Sequence, residues 1–251
     1  MVPFIFHSFA HSDIGLVRQN NEDVALELSQ HHFYILADGM GGHKAGEVAA
    51  QETVVFLCDC VDKMFKQQSE PLELNTITNA LKTFILRSNE RIYQLGQENS
   101  AYQGMGTTVS SMLFYQNSLV CAHVGDSRIY RYRHNTLTLL TYDHTLKNKL
   151  LQQGRLDEAI AKGIRYKNVL TKAIGAFKTV TPDILISPVE PGDLYIMCSD
   201  GLSDYLSDEE MLSTLTLPLS LQELTFQLIQ QAKAKGGCDN ITVLVTKVSS
   251  T

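Results

Sequence analysis

The chain has 251 residues, 44% of them hydrophobic, and a formal net charge of −6, which suits a globular protein able to bury a core without disulfides. The acidic balance argues against a nucleic-acid or anionic membrane partner. The five cysteines are scattered without a Cys-x-x-Cys pair, and we find neither a signal-peptide pattern nor an apolar run of about 18 residues. We therefore expect a soluble, cytoplasmic protein.

The first part of the chain predicts a β-hairpin. Residues 24–28 and 33–37 are both short apolar runs typical of strands, with a polar turn between them. Because antiparallel neighbours bring their ends together, we expect this hairpin to place Glu22 and Asp23 near Asp38.

The rest of the chain predicts helices and strands that come in blocks. Helices are predicted at residues 45–65 and 74–95, and after the capping boxes that begin at Ser207 and Ser220. Further strands are predicted at residues 2–17, 107–115, 119–125, 128–133, 137–141, 184–188, 194–198 and 241–248. Blocks of this kind favour antiparallel sheets flanked by helices over a doubly wound parallel sheet.

Two segments allow more than one interpretation. Residues 128–134 mix Arg with Tyr, as nucleic-acid-binding segments do, but in an acidic chain a strand with one solvated face explains them better. Residues 143–168 are polar and basic and lie between strands, so we expect an inserted lid. A solvated loop explains this segment equally well.

Four turns place an aspartate at a strand end beside glycine or asparagine. They are Asp38-Gly39, Gly125-Asp126, Asp200-Gly201 and Asp239-Asn240. One such turn is commonplace, but four of them suggest an acidic cluster, whose carboxylates would repel unless cations neutralise them. Oxygen-only ligands select Mg²⁺ or Mn²⁺, and two such ions form a common device for attacking a phosphate ester. Arg18 supplies a planar fork suited to phosphate oxygens.

The motifs in this order resemble those of the metal-dependent serine/threonine protein phosphatase 2C family, particularly its compact bacterial members. The matching stretches are residues 12–23 (SDIGLVRQNNED), 37–47 (ADGMGGHKAGE), 104–108 (GMGTT), 124–128 (VGDSR), 143–144 (DH), 170–175 (LTKAIG), 199–204 (SDGLSD) and 237–242 (GCDNIT). The resemblance implies an α+β fold, a four-layer α-β-β-α sandwich of two central antiparallel sheets between helices. It also implies a single catalytic domain over residues 1–251, with a flap at about 143–168.

The resemblance further implies a metal site with two Mn²⁺ or Mg²⁺ ions. Asp38 would bridge them, and Gly39 would offer its carbonyl oxygen to one of them. Asp200 and Asp239 would complete the other. Asp126, together with Asp200, matches the position that holds a weaker third ion in bacterial members.

The other implied site residues act beside the metals. Glu22 would bind through water, with Asp23 supporting the same shell, and Arg18 would bind the substrate phosphate. His43 is the candidate for the acid that protonates the leaving oxygen; a loop histidine without a chemical role is the alternative.

The implied reaction is hydrolysis of phosphoserine and phosphothreonine esters by in-line attack of a hydroxide that bridges the two ions. We expect phosphorylated proteins as substrates, a Ser/Thr kinase as the opposing enzyme, and a monomer. Residues 161–168 lack the His-Pro often seen before the Leu-Thr-Lys-Ala-Ile-Gly motif, which puts substrate selection by the flap in doubt. Cys238, beside a predicted ligand, could make the enzyme sensitive to oxidation.

Two alternatives stay open. A catalytically inactive binding module could use the same fold, although every expected carboxylate is present in this chain. A phosphatase of small metabolites would use the same metals and the same chemistry, and the sequence does not exclude activity on small phosphate esters.

Overall fold

A computed structural model describes residues 4–41, 45–68, 70–155 and 169–250. Its strands are β1 Phe4–Asp13, β2 Asp23–Leu28, β3 Phe33–Met40, β4 Gly106–Thr107, β5 Val109–Tyr115, β6 Ser118–Val124, β7 Arg128–Arg133, β8 Thr136–Leu139, β9 Asp183–Pro188, β10 Leu194–Cys198 and β11 Ile241–Ser250. Its helices are α1 Ala45–Lys66, α2 Leu74–Glu98, α3 Leu146–Gln152, α4 Asp200–Ser203, α5 Asp208–Leu215 and α6 Leu221–Ala234. Short 3₁₀ helices lie at Ser29–His31 and Ser100–Tyr102.

The strands form two sheets. One sheet has the order β1-β11-β10-β7-β8, and the other has the order β2-β3-β5-β6-β9 with β4 paired to β3. Every strand pair in both sheets is antiparallel. The strand blocks in the sequence therefore predicted the right class of sheet.

The central strands are buried on both faces, which defines the layers. Along β3, Tyr34 and Leu36 pack between the sheets against residues of β10 and β11 such as Tyr195, whereas Phe33 and Ile35 pack outward against α1 and α2. Side chains alternate between the two faces of a strand, so one apolar run serves two cores. On the other side α5 and α6 cover the first sheet. The predicted four-layer α-β-β-α sandwich is confirmed.

Most predicted elements are present within a few residues. Both capping boxes form: the side chains of Ser207 and Ser220 accept the N–H of Glu210 and Glu223, whose carboxylates accept in return. The first strand ends at Asp13, earlier than predicted. Gly15 has φ +81°, a left-handed conformation that turns the chain out of the sheet.

The first residues of the predicted lid, residues 143–145, are part of the packed protein body. Asp143, His144 and Thr145 are buried, and the His144 carbonyl accepts the N–H of Thr171. These three residues are packed into the protein interior, and the short helix α3 follows them. The predicted lid residues 156–168 lie outside the described residues.

Two of the three arginines on β7, Arg128 and Arg133, form ion pairs within the protein. Arg128 makes a bidentate contact with Asp143, with its Nη2 2.7 Å from Oδ2 and its Nε 3.0 Å from Oδ1. Arg133 pairs with Asp193 at 2.6 Å through both Nε and Nη2. These pairs support the interpretation of this segment as an ordinary strand. In the part of the chain that the structure describes, no helix is long and apolar enough to cross a membrane.

Candidate active site

The β2–β3 hairpin brings two carboxylates together as predicted. In the strand register Asp23 pairs with Asp38, and Glu22 immediately precedes this pair. The backbone of Asp38 is fixed on its other side, because its N–H donates to Thr108 Oγ1 and its carbonyl accepts the N–H of Thr108, both at 2.9 Å. Asp38 is therefore held at a rigid strand end.

Three further strand ends bring their aspartates to the same place. Asp126 follows β6 in a turn that Gly125 enters with φ +114°, Asp200 follows β10 and begins α4, and Asp239 precedes β11. All of them line a cleft of about 280 Å³. The described lining of this cleft is Arg18, Glu22, Asp38, Gly39, Met40, Gly41, Thr108, Asp126, Leu170, Asp200, Asp239 and Asn240. The cluster that the four turns predicted is thus present.

Asn240 joins the two ends of the chain around this cleft. Its Nδ2 donates to the carbonyls of Ile14 at 3.0 Å and Asn20 at 2.9 Å, and its Oδ1 accepts the N–H of Glu22 at 2.8 Å. The sequence analysis assigned Asn240 no role beyond the Asp-Asn turn. A buried side-chain amide that satisfies three backbone groups fixes the loop that carries Arg18 and Glu22.

Asp23 is buried behind the cleft. Its Oδ2 accepts from Ser199 Oγ and Thr242 Oγ1, both at 2.7 Å, and so ties β2 to β10 and β11. Burial raises the pKa of Asp23 to about 6, despite these two hydrogen bonds. The position fits a supporting role behind the metal ligands.

The carboxylates destabilise one another when all are charged. Burial, followed by the charges of Asp23 and Asp200, raises the pKa of Asp38 well above its ordinary value. Burial and the charge of Asp126 do the same for Asp200, and burial together with Asp143 raises the pKa of Asp126 to about 7. Such a group of acids is stable in its charged form only beside cations.

The donor set fits Mn²⁺ or Mg²⁺. Carboxylate and backbone carbonyl oxygens line the described cleft, and neither His nor Cys is among them, which matches hard cations and not zinc. Within the described ranges, no three Asp, Glu, His or Cys side chains close on one point.

Arg18 and Glu22 lie at the rim of the cleft. Arg18 Nη2 is 2.7 Å from Asp239 Oδ2, so the predicted phosphate ligand contacts a predicted metal ligand. Its side chain is half exposed and open to an incoming anion. Burial raises the pKa of Glu22, although Arg18 lowers it in part. His43, the predicted general acid, lies outside the described residues.

Position 201 requires glycine because its backbone lies very close to the backbone of Asn240. A methyl group on Gly201 would overlap the carbonyl oxygen of Asn240. On helix propensity alone, Ala at this position in α4 would stabilise by about 1 kcal/mol. We expect Gly201→Ala instead to destabilise by about 2 kcal/mol and to lower Tm by roughly 5 °C, because the clash displaces the β10–α4 turn. Thermal unfolding followed by circular dichroism measures the sign, and a higher Tm in the variant would contradict the contact.

The sequence analysis missed a polar cluster around the buried His144, next to the Gly125 turn. The N–H of Gly125 donates to His144 Nδ1 at 3.0 Å, and His144 Nε2 lies 3.1 Å from Asp183 Oδ2 and 3.0 Å from Lys172 Nζ. Burial lowers the pKa of His144, which keeps the ring neutral and able to accept from Gly125. The Asp143-His144 dipeptide was the available signal, but nothing in the sequence identifies its partners.

Comparison with known proteins identifies the family. The model of the family described as Protein phosphatase 2C matches residues 8–241. The chain belongs to this family. It is 35% identical over 244 residues to the serine/threonine phosphatase Stp of Listeria welshimeri, which covers 96% of this chain and 95% of that protein. The predicted family and enzyme class, a metal-dependent protein serine/threonine phosphatase, are confirmed.

Solved phosphatase 2C structures share the whole fold. The serine/threonine phosphatase of Streptococcus agalactiae superposes with a TM-score of 0.88 at 36% identity, covering 97% of this chain and 99% of that one. The catalytic domain of the phosphatase PstP, described in complex with two manganese ions, gives a TM-score of 0.82 at 35% identity, covering 98% and 100%. The predicted sandwich therefore agrees with this phosphatase 2C fold over nearly the full chain.

Proposed function

We propose that this phosphatase uses the four strand-end aspartates to hold its metal ions and acts on phosphoserine and phosphothreonine in proteins. The convergence of Asp38, Asp126, Asp200 and Asp239 on one cleft carries the proposal. Asp38 would bridge two Mn²⁺ or Mg²⁺ ions, one of them also bound by the carbonyl of Gly39. The two-manganese complex of the related PstP supports this cofactor choice.

The remaining ligands divide between the ions. Asp200 and Asp239 would complete the second site, and Asp126 with Asp200 would hold a weaker third ion. Glu22 would bind through water from the rim, and Asp23 would support it from behind. When bound, such ions lower the pKa of coordinated water and stabilise the charge that develops on the phosphoryl group.

Arg18 would position the phosphate. Its half-exposed guanidinium projects at the rim beside Asp239 and presents paired N–H donors that match two phosphate oxygens. Asn240 fixes the loop that carries Arg18. The loop backbone therefore needs little reordering when the Arg18 guanidinium binds the phosphate. Water then attacks phosphorus in line with the serine or threonine oxygen, the phosphorus–oxygen bond breaks, and the leaving oxygen takes up a proton. His43 remains our candidate donor of that proton.

The proposed biological setting is narrower than the enzyme class. We propose that the enzyme acts in the cytoplasm, opposes a Ser/Thr kinase and works as a monomer. The five cysteines are free, which suits a reducing compartment.

Phosphate release tests the proposal directly. With 1 mM Mn²⁺ or Mg²⁺ added, we expect turnover of a phosphothreonine peptide, and after chelation we expect loss of that turnover. A sugar phosphate, assayed in parallel, should be hydrolysed more slowly. No turnover by the folded, metal-loaded protein would favour a binding module, and faster hydrolysis of the sugar phosphate would favour a metabolite phosphatase.

A further inference from the structure

The turn between β1 and β2 presents apolar side chains to solvent beside the active site. Ile14, Leu16 and Val17 are exposed to 40%, 61% and 64%. Scattered apolar side chains on a surface are ordinary, but three within four residues at the rim of a catalytic cleft form a patch that can contact a partner.

The turn is held rigidly, so these side chains cannot fold back into the core. The N–H of Leu16 donates to the Gly237 carbonyl at 2.7 Å, and the N–H of Gly15 donates to Asp13 Oδ1 at 2.8 Å. A side chain on Gly15 would overlap the carbonyl oxygen of Asp239, so the turn packs directly on the loop before β11. An exposed apolar side chain on a fixed backbone binds with little loss of conformational entropy.

A pocket opens between this turn and α4. Its volume is about 460 Å³, and its lining consists of Val17, Arg18, Asp200, Gly201, Asp204, Tyr205, Cys238 and Asp239. The Tyr205 hydroxyl accepts the N–H of Cys238 at 3.2 Å, which fixes the ring in place. We call this pocket, lined by Val17, Tyr205 and Cys238, the Val17 subsite.

The Val17 subsite is continuous with the catalytic cleft. Arg18, Asp200 and Asp239 line both cavities, so they form a shared wall. A phosphorylated side chain whose phosphate contacts Arg18 therefore places neighbouring residues of the same peptide at the mouth of the subsite. An extended chain advances about 3.5 Å per residue, so a residue within three positions can reach it.

We propose that the Val17 subsite binds an apolar side chain close in sequence to the phosphoserine or phosphothreonine of the substrate protein. This inference rests on the proposed function, because it assumes a phosphopeptide in the cleft. The aliphatic side chain of Val17 and the aromatic ring of Tyr205, which both line the pocket, suit a Leu-sized group. Asp200, Asp204 and Asp239 also line the pocket and disfavour an acidic side chain there. Val17 is then a specificity-determining residue of this phosphatase.

A peptide series tests the subsite. One set of phosphothreonine peptides carries a single Leu at each position from −3 to +3 in an Ala background, and a second set carries Glu. We expect one position at which Leu raises kcat/KM about fivefold over Ala and Glu lowers it, mainly through KM because the contact is uniform binding. In Val17→Thr, which keeps the shape and removes the apolar methyl contact, the Leu preference should fall to about twofold or less.

The matched control is Val55→Thr. Val55 is 50% exposed on α1, so this variant makes the same change on an outer surface. The Leu preference of the Val55→Thr enzyme should equal that of the wild type. The peptide kcat/KM of each variant is divided by its rate on p-nitrophenyl phosphate. This small substrate lacks flanking residues, so the ratio corrects for any change at the catalytic cleft itself. An unchanged Leu preference in Val17→Thr, or no preference at any position in the wild type, would overturn the subsite and leave the phosphatase intact. Failure to hydrolyse any phosphopeptide with Mn²⁺ would instead overturn the proposed function, and the subsite with it.

Discussion

Asp38→Asn is expected to lower kcat on a phosphothreonine peptide by about a thousandfold or more, with no loss of folding. Asn keeps the size of the side chain and removes the charge that two cations would share. Removal of one preorganised electrostatic partner of a transition state commonly costs about 10²–10³ in rate, and a bridging ligand affects both ions. The fold should persist, because the backbone of Asp38 is held by Thr108 and not by its carboxylate.

The same substitution should stabilise chelated protein at pH 8. Burial and the neighbouring carboxylates raise the pKa of Asp38, so its charged form costs free energy in the folded state. We would measure Tm in EDTA alongside steady-state kinetics, with Asp59→Asn on the exposed face of α1 as control. An Asp38→Asn enzyme that retains more than a tenth of wild-type turnover would mean that the catalytic centre lies elsewhere.

Stability of the chelated wild type should fall as pH rises from 6.5 to 8.5. The folded pKa of Asp126 is raised to about 7, and those of Asp38 and Asp200 are raised well above the ordinary value. The folded state therefore holds protons that the unfolded chain has already released. The stability that these protonated carboxyl groups contribute is lost as pH rises through their folded pKa values. We expect a loss of about 1–3 kcal/mol, or roughly 5 °C in Tm.

Buried histidines limit this prediction to the upper pH range. Burial lowers the pKa of His123 to about 3 and also lowers that of His144, so both favour the folded state more as pH rises towards 6.5. At pH 6.5 the unfolded imidazoles are still about half protonated, so the two histidines offset part of the loss until they are neutral in both states above about pH 7.5. Only the carboxylates then determine the slope.

Metal addition supplies the test. Saturating Mn²⁺ should raise Tm more at pH 8 than at pH 6.5, because the cation competes with protons for the same carboxylates. Thermal scans in EDTA and in Mn²⁺ at four pH values would measure both slopes. A chelated Tm that is flat or rising above pH 6.5 would contradict the raised pKa values of the cluster.

The sequence predicted those features that local chemistry determines. The apolar run 33–37 gave a strand buried on both faces, and the four Asp turns gave the acidic cleft. The pairing of Asp23 with Asp38 followed from the short hairpin alone. In each case the pattern of a few consecutive residues was enough.

The unpredicted features depend on contacts between distant residues. The three backbone partners of Asn240 lie more than 200 positions away in sequence, and the partners of His144 lie on three separate segments. No periodicity or spacing encodes such contacts. The early end of β1 at Asp13 was missed for the same reason, since the Gly15 turn is fixed by the loop before β11.

The interior position of β11 in its sheet, between β1 and β10, has a consequence for synthesis of the enzyme. β11 pairs with β1 on one side and β10 on the other, so the first and last strands of the described chain are neighbours. Asp239 and Asn240, which complete the site, enter with that strand. A nascent chain on the ribosome therefore cannot form the cleft until residues 239–250 have emerged. Each new molecule should begin to remove phosphate only after these residues have left the ribosome and β11 has paired with β1 and β10.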